Sequence, residues 1–203
     1  MSRQGLLVVY SGPSGVGKGT LLAPLITPGG PLTLSVSATT RTPRAGEIDG
    51  VHYHFVTRAH FEEMIAAGEM LEFACYNGNY YGTPRHFVEQ LLNAGHDVVL
   101  EIEVQGAKQI KQLCPNALLI FVMPPSFYEL RHRLESRGTE DAQQLAGRLS
   151  AALGEISHAL HYDFIIVNDH LEEARAQLMD AVRAGHQLAR YHKNLIEEVL
   201  HQC

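Results

Sequence analysis

The chain has 203 residues, with 16 Lys or Arg against 22 Asp or Glu, and a formal net charge of −6 at pH 7. This length is enough for one sizeable hydrophobic core without disulfide bonds. The acidic balance, the lack of a basic block and the lack of a long apolar run predict neither a nucleic-acid nor a membrane partner.

The three cysteines, Cys75, Cys114 and Cys203, are odd in number and far apart in the sequence. This spacing favours reduced thiols over disulfides or a zinc site. The twelve histidines include two close pairs, but no third ligand stands at metal-site spacing beside either pair. We therefore expect a cytoplasmic protein, and the sequence leaves open whether it forms a homo-oligomer.

The first strong motif is a glycine-rich segment that directly follows the apolar run at residues 6–10. A strand that leads through such a segment into a helix points successive backbone N–H groups into one concavity, which binds phosphate. Lys18 adds a positive charge for the β- and γ-phosphates. An ordinary glycine turn is the alternative, but it does not account for the lysine. We therefore predict a phosphate loop formed by Gly12, Pro13, Ser14, Gly15, Val16, Gly17, Lys18, Gly19 and Thr20.

The hydroxyl residue of this motif is displaced by one position. Gly19 follows Lys18 and Thr20 comes next, so the usual Mg²⁺ ligand position lacks a hydroxyl. Two alternatives follow. Either Thr20 binds the metal, or phosphates and water hold it, as is common for Mg²⁺.

The segment after the loop predicts a short helix and then a strand. A helix over residues 18–26 is shortened or bent by Pro24, which removes the N–H that would bond to Thr20. A β-branched, alternating pattern predicts a strand over residues 32–37. The polar segment 38–46 is extended, since the residue before Pro43 is steered away from helix.

A small α+β insert is predicted next. Residues 51–56 and 70–75 alternate like half-solvated strands, and a helix lies between them from an N-cap at Thr57 to Gly68. Residues 77–83 form a turn-rich strand end. Pro84 then begins a helix that Gly95 ends.

The runs 98–104, 118–123 and 164–167 are mostly apolar, as expected for parallel strands buried on both faces. With residues 6–10 and 32–37 they make five core strands that alternate with helices. This pattern predicts an α/β fold with a doubly wound, five-stranded parallel sheet. Residues 126–161 are helical and rich in Arg, and the tail 171–201 is amphipathic with a break at Gly185.

A second phosphate site is predicted from an arginine pair. Arg41 and Arg44 flank Thr42-Pro43, and Tyr53 and Tyr81 follow in the insert. Two guanidinium forks with tyrosine hydroxyls nearby suit a phosphate monoester. A solvated arginine pair is the alternative, and the phosphate loop favours the first interpretation.

The sequence closely resembles the guanylate kinase family over nearly its whole length. Beyond the phosphate loop, the matching motifs are Ser35-Val-Ser-Ala-Thr-Thr-Arg-Thr-Pro-Arg-Ala-Gly-Glu47, Asp49-Gly50, Gly78-Asn-Tyr-Tyr-Gly-Thr83, Glu101-Ile-Glu-Val-Gln-Gly106, Arg137-Gly-Thr139 and Ile166-Val-Asn-Asp169. The resemblance implies a kinase of purine metabolism that transfers the γ-phosphoryl group of ATP to GMP, giving ADP and GDP, with Mg²⁺. It also implies one domain, with a core (1–36, 84–125, 156–203), a GMP-binding insert (37–83) and a lid (126–155).

The resemblance assigns roles to individual residues. The predicted ATP contacts are the phosphate loop and Asn168, and the catalytic cations are Lys18, Arg133, Arg137 and Arg148. The predicted GMP contacts are Ser37, Arg41, Arg44, Tyr53, Glu72, Tyr81, Thr83 and Glu103. Thr20 and Glu101, the latter through water, are the predicted metal contacts. Glu101 and Glu103 stand where the family often has aspartate.

Chemistry supports two of these assignments independently. Guanine offers an N1–H and a 2-amino group on one edge, and the carboxylate of Glu72 can accept both, whereas adenine presents an acceptor at N1. Arg133 and Arg137 share a helix face and, with Arg148, supply the cations that phosphoryl transfer needs. In the alternative interpretation, Glu72 is a solvated strand residue and the arginines are a solvated helix face.

The sequence is compatible with two rival functions. A kinase for another nucleoside monophosphate is disfavoured by Glu72 and Thr83. A catalytically inactive, guanylate kinase-like protein-binding module has no need of a phosphate loop, so Lys18 with its glycines favours the enzyme.

Overall fold

The computed structural model describes residues 4–76, 78–136 and 142–201. Two compact units make up the chain, and each is described by itself. The first unit comprises Met1–Val9 with Ile26–Ala117, and the second comprises Tyr10–Leu25 with Leu118–Cys203.

The described residues form nine strands and eight α-helices. The strands are β1 (Leu7–Ser11), β2 (Thr33–Leu34), β3 (Ala38–Thr39), β4 (His54–Phe55), β5 (Met70–Tyr76), β6 (Asn79–Pro84), β7 (Val98–Glu101), β8 (Leu118–Met123) and β9 (Phe164–Val167). The helices are α1 (Lys18–Leu22), α2 (Arg58–Ala66), α3 (Arg85–Asn93), α4 (Val104–Leu113), α5 (Phe127–Glu135), α6 (Ala142–Ile156), α7 (Leu171–Gly185) and α8 (Lys193–His201).

Five strands form a parallel sheet in the order β2-β7-β1-β8-β9. Thr33 pairs with Val98 between β2 and β7, and Ile120 pairs with Phe164 between β8 and β9. All residues of β1 are buried, which fits an apolar strand covered on both faces. The predicted α/β class with a five-stranded parallel sheet is therefore confirmed.

A separate mixed sheet of four strands, in the order β4-β3-β6-β5, lies in the first unit. Strands β5 and β6 are antiparallel, and their register sets Glu72 opposite Thr83. The buried side chains of Ala38, Phe61 and Met70 form the core beside this sheet. The sheet thus brings two of the predicted base-reading residues side by side.

Some predicted strands are too long. The pattern over residues 32–37 contains only β2, because the chain passes from one sheet to the other there. Ser35 N donates to Val99 O in the central sheet, whereas Ser37 O accepts from His54 N in the mixed sheet. Likewise the apolar run that begins at Val98 ends as a strand at Glu101, and α4 begins at Val104.

Several local predictions are confirmed. Helix α1 has only five residues and is followed by a 3₁₀ turn, Ala23–Leu25, that contains Pro24. Thr57 caps α2 by accepting a hydrogen bond from His60 N. None of the helices within the described ranges is long and apolar enough to cross a membrane.

Helix α5 falls within the predicted lid, 126–155, and α6 ends one residue beyond it. Their buried residues Leu130, Leu134 and Ala152 form a small hydrophobic cluster. Ser126 caps α5 by accepting a hydrogen bond from Glu129 N at 3.1 Å. The boundaries of core, insert and lid as separate parts stay a prediction.

Candidate active site

The phosphate loop lies in the second unit and leads directly into α1. Gly17, the residue before α1, has φ +92°, a left-handed conformation that favours glycine. A Cβ there would also come within 2.7 Å of Asn168 Nδ2. Both observations explain why glycine occupies this position.

The Lys18 side chain folds back across the phosphate loop. Its Nζ donates to Gly12 O at 2.6 Å and to Pro13 O at 3.2 Å. The Tyr10 hydroxyl donates to the Lys18 carbonyl at 3.2 Å, which anchors the start of α1. The ammonium group is therefore held over the loop by backbone oxygens, where it can contact a bound phosphate.

Asn168 and Arg133 donate hydrogen bonds to the backbone of the phosphate loop and of the residue beside it. Asn168 is buried, and its Nδ2 donates to Val16 O at 2.8 Å. Arg133 Nη1 donates to Asn168 O at 3.0 Å and to Val16 O at 3.3 Å, and its Nε pairs with Glu129 at 2.7 Å. The structure therefore adds a loop-supporting contact to both residues.

Of the other predicted lid arginines, one reaches the loop. Arg148 on α6 donates from Nη2 to Ser14 Oγ at 2.7 Å. Arg137 lies outside the described residues. Thr20 is exposed in the first turn of α1.

Arg175 on α7 also contacts this region, although no sequence motif marks it as a site residue. Its Nη2 donates to Thr20 O at 3.1 Å and its Nε to Leu21 O at 3.4 Å. Glu172, one turn earlier on α7, pairs with Arg175 Nη1. The one signal in the sequence was Pro24, which deprives Thr20 O of its helical donor.

In the first unit, Arg41 is held by an ion pair with Glu47. Arg41 Nη1 and Nη2 each donate to one Glu47 oxygen at 2.9 Å, and the Arg44 backbone N donates to Glu47 at 2.7 Å. These contacts, chiefly the one with Arg41, lower the pKa of Glu47 to about 2. The same pair raises the pKa of Arg41. Glu47, which lies inside a motif but was not predicted as a site residue, organises this end of the site.

Aromatic rings surround the Arg41 guanidinium. Its centre lies 5.5 Å from the ring centroid of Tyr53 and 5.7 Å from that of Phe55. Tyr53 and Tyr81 meet edge to face at 6.1 Å, and burial raises the pKa of Tyr53. The predicted phosphate contacts Arg41, Tyr53 and Tyr81 are therefore neighbours, with half-buried Ser37 and exposed Arg44 on the adjoining segment.

Glu72 is a buried carboxylate in the mixed sheet, with 5% of its surface exposed. Thr83 Oγ1 donates to Glu72 Oε1 at 2.7 Å. Burial is the main cause that raises the pKa of Glu72; the Thr83 hydrogen bond opposes it, and the charge of Glu103 adds to it. A Cβ on Gly106 would lie 2.6 Å from Glu72 Oε2, so glycine in α4 makes room for this carboxylate.

The acidic residues on β7 and α4 remain exposed. Glu101 ends β7, and Glu103 is the N-cap of α4 without a side-chain capping bond. Within 4–76, 78–136 and 142–201, no group of three His, Cys, Asp or Glu could hold a metal ion. The exposed carboxylates of Glu101 and Glu103 are oxygen donors of the kind that Mg²⁺ accepts from proteins.

Comparison with known proteins identifies relatives over almost the whole chain. The profile of the family described as guanylate kinase matches residues 4–185. Guanylate kinase of Clostridioides difficile is 45% identical over 97% of this chain and 96% of its own length. That of Streptococcus mutans is 48% identical over 98% of both chains.

A solved structure is similar as well. The crystal structure of guanylate kinase from Anaplasma phagocytophilum superposes with a TM-score of 0.72 at 36% identity, covering 90% of this chain and 86% of that one. The sequence relatives and this structure therefore agree on the same family.

Proposed function

This chain belongs to the guanylate kinase family, whose reaction is the ATP-dependent phosphorylation of GMP, and we propose which of its residues carry that reaction. An oxygen of the GMP phosphate attacks the γ-phosphorus of ATP, and the bond to the bridging oxygen breaks to give ADP and GDP. No side chain acts as a nucleophile. The enzyme instead positions the reactants and neutralises charge, and the product enters purine nucleotide metabolism.

The observation that carries the proposal for guanine is the buried pair of Glu72 and Thr83. A buried carboxylate with a raised pKa destabilises the folded state, so its presence at this position calls for a functional explanation. Guanine supplies one, because its N1–H and 2-amino group can both donate to Glu72. Thr83 Oγ1 donates to Glu72 Oε1 at 2.7 Å, and Glu103 is proposed as a further guanine contact.

At the other end of GMP, the proposed phosphate contacts are Ser37, Arg41, Arg44, Tyr53 and Tyr81. Glu47 fixes the fork of Arg41 before the ligand arrives. The phosphate then shares Arg41 with Glu47 or displaces that carboxylate. Either way, the ion pair keeps the guanidinium oriented while the site is empty.

For ATP, the proposed contacts are the loop residues Gly12–Thr20 and Asn168. Lys18 turns from the Gly12 and Pro13 carbonyls to the β- and γ-phosphates, which are stronger acceptors. Arg133, Arg137 and Arg148 are the proposed further cations around the transferred group. Arg148 already contacts the loop through Ser14.

Mg²⁺ is the proposed cofactor. When bound, it neutralises charge on the β- and γ-phosphates. Thr20 and, through water, Glu101 are the residues that would hold it. The described acidic residues form no cage of their own, which agrees with a metal that arrives with ATP.

A cytoplasmic location is also proposed. Cys75 and Cys114 are free thiols, which suits a reducing compartment, and Cys203 lies outside the described residues.

A coupled assay of ADP release with GMP, AMP, CMP and UMP tests this function. We expect turnover with GMP and at least about 100-fold less with the other three, because only guanine offers two donors to Glu72. Equal turnover with AMP would contradict guanine selection. No turnover with any of them would support the protein-binding module instead.

Lys18→Ala tests the ATP side of the proposal. Because the Lys18 ammonium donates to loop carbonyls, the variant should fold, while kcat falls by at least about 100-fold. A folded variant with kcat within tenfold of wild type would rule out the role given to Lys18.

A further inference from the structure

We propose that Arg175 is a positioning residue for the ATP phosphates, because it replaces a hydrogen-bond donor that Pro24 removes from the end of α1. This inference rests on the proposed function, since it concerns how the ATP loop is held. The loop residues Lys18 and Thr20 both lie on α1, so whatever holds this helix also sets their positions.

The need for such a residue follows from the early end of α1. Ala23 N donates to Gly19 O, which completes the last regular helical bond. The next carbonyl, Thr20 O, would accept from the N–H of residue 24, but Pro24 has none. Carbonyls without a helical donor at a helix end bond instead to side chains or to water. The break in the helix therefore creates a specific demand for a donor beside Thr20.

Arg175 meets this demand with two parallel donors. Nη2 donates to Thr20 O at 3.1 Å, and Nε donates to Leu21 O at 3.4 Å. These two N–H groups lie on one edge of the planar guanidinium, so they fit two successive carbonyls. The remaining nitrogen, Nη1, pairs with Glu172. The Arg175 side chain is only 18% exposed, whereas that of Glu172 is 83% exposed.

Hydrogen bonds at both ends of α1 hold this helix in place, and the helix in turn positions the phosphate loop. At its start, the Tyr10 hydroxyl donates to the Lys18 carbonyl. At its end, Arg175 holds the carbonyls of Thr20 and Leu21, and the Leu21 and Leu22 side chains are buried. A small shift of this helix would move both Lys18 Nζ and the Thr20 hydroxyl away from the phosphates. Shifts of about 1 Å at a reacting group cost up to about 100-fold.

The test is a double-mutant cycle with Arg175→Met and Pro24→Ala, read by calorimetric binding of ATP alone and of GMP alone. Arg175→Met should weaken ATP binding about tenfold and leave GMP binding within twofold. Pro24→Ala alone should stay near wild type, because Arg175 already serves both carbonyls. In the double variant, the backbone N–H gained at position 24 should restore ATP binding to within about threefold of wild type.

Arg183→Met is the matched control. Arg183 lies on the same helix and pairs with Asp180 three residues earlier, but its side chain is 72% exposed. This variant should bind ATP like wild type, with or without Pro24→Ala. If Arg175→Met does not fold, Arg175→Lys replaces it. A single ammonium cannot serve both carbonyls with fork geometry, so a loss of about threefold in ATP affinity is expected.

Two results would overturn the inference. One is ATP binding within twofold of wild type in the folded Arg175 variant, which would make Arg175 a structural tie only. The other is an equal loss in the Pro24→Ala background, which would show that the missing N–H is irrelevant. The binding cycle needs no GMP turnover, so failure of the proposed function would appear separately, as a wild-type chain that binds ATP but does not phosphorylate GMP.

Discussion

The two ends of the proposed GMP site hold their carboxylates in opposite ways. At the phosphate end, half-buried Glu47 is paired with Arg41 through two hydrogen bonds of 2.9 Å, and its pKa is lowered to about 2. At the base end, Glu72 is buried beside Thr83, and its pKa is raised. The carboxylate at the phosphate end is therefore paired before GMP arrives, whereas we propose that the ligand compensates the carboxylate at the base end.

This difference suggests a separate role for each end of the site, namely orientation of the phosphate and selection of the base. An ion pair that is already made gives orientation, because the ligand exchanges one anion for another. A buried carboxylate without a cation gives selectivity, because a base that offers no donors leaves it uncompensated. We therefore propose that the cost of Glu72 to the folded state is part of how the site selects guanine.

A large effect is expected from removal of the cation at the phosphate end. Arg41→Met should lower kcat/KM for GMP by about 30- to 1,000-fold, since a charge-assisted fork to the phosphate is lost and Glu47 remains without its partner. ATP binding, measured by calorimetry, should stay within twofold. Arg58→Met is the control, because Arg58 forms a similar pair with Glu62 in the same unit but is 58% exposed. Equal losses in the two variants would show that the phosphate end has no special role.

A smaller effect is expected from the hydroxyl at the base end. Thr83→Val removes the donor to Glu72 and should lower kcat/KM for GMP about tenfold at pH 7. Because this hydrogen bond opposes the raised pKa of Glu72, its loss should raise that pKa further. The acid limb of the pH profile should then move to higher pH. Wild type measured at the same pH values cancels the titration of GMP itself, and an unmoved limb would contradict the coupling.

Much of this arrangement could be predicted from the sequence, for local reasons. The phosphate loop depends on glycines and a lysine within nine residues. The roles of Glu72 and Thr83 were predicted from the resemblance to the guanylate kinase family. The break of α1 at Pro24 and the cap at Thr57 are also local. The phosphate loop, the helix break and the cap each depend only on residues close together in the sequence. They can therefore be predicted before the fold is known.

The rest depended on contacts between distant residues. Arg175 meets Thr20 across 155 positions, and Gly106 matters only because Glu72 approaches it. The strand predicted over residues 32–37 was too long because a continuous pattern cannot show where the chain passes between sheets. Arg137 lies outside the described residues, so its role stays a prediction.

The smallest effect concerns stability, and its sign differs between the two carboxylates. The pKa of Glu72 is raised in the folded state, so its charge destabilises the fold as pH rises through that pKa. Glu72→Gln should therefore raise the free energy of unfolding at pH 7 by on the order of 1 kcal/mol, and this gain should vanish at low pH.

Glu47→Gln is the matched control with the opposite sign. The lowered pKa of Glu47 stabilises the fold above the unfolded pKa, and this contribution is lost as pH falls towards 2. Its variant should be slightly less stable than wild type at pH 7. Chemical denaturation at pH 7 and at low pH checks both signs. A loss of stability in both variants at pH 7 would contradict the opposite effects expected for Glu72 and Glu47.

The most direct test of guanine selection is the ratio of kcat/KM for GMP to that for AMP in Glu72→Gln and in wild type. The amide of Gln must present an NH₂ and a C=O to an edge that offers only donors, while the penalty against the N1 acceptor of adenine is relieved. We predict that kcat/KM for GMP falls by about 30- to 1,000-fold, that the value for AMP falls much less or rises, and that ATP binding stays near wild type. An unchanged ratio of GMP to AMP would contradict the account and make Glu72 a buried structural residue, with guanine selection sought at Thr83 and Glu103.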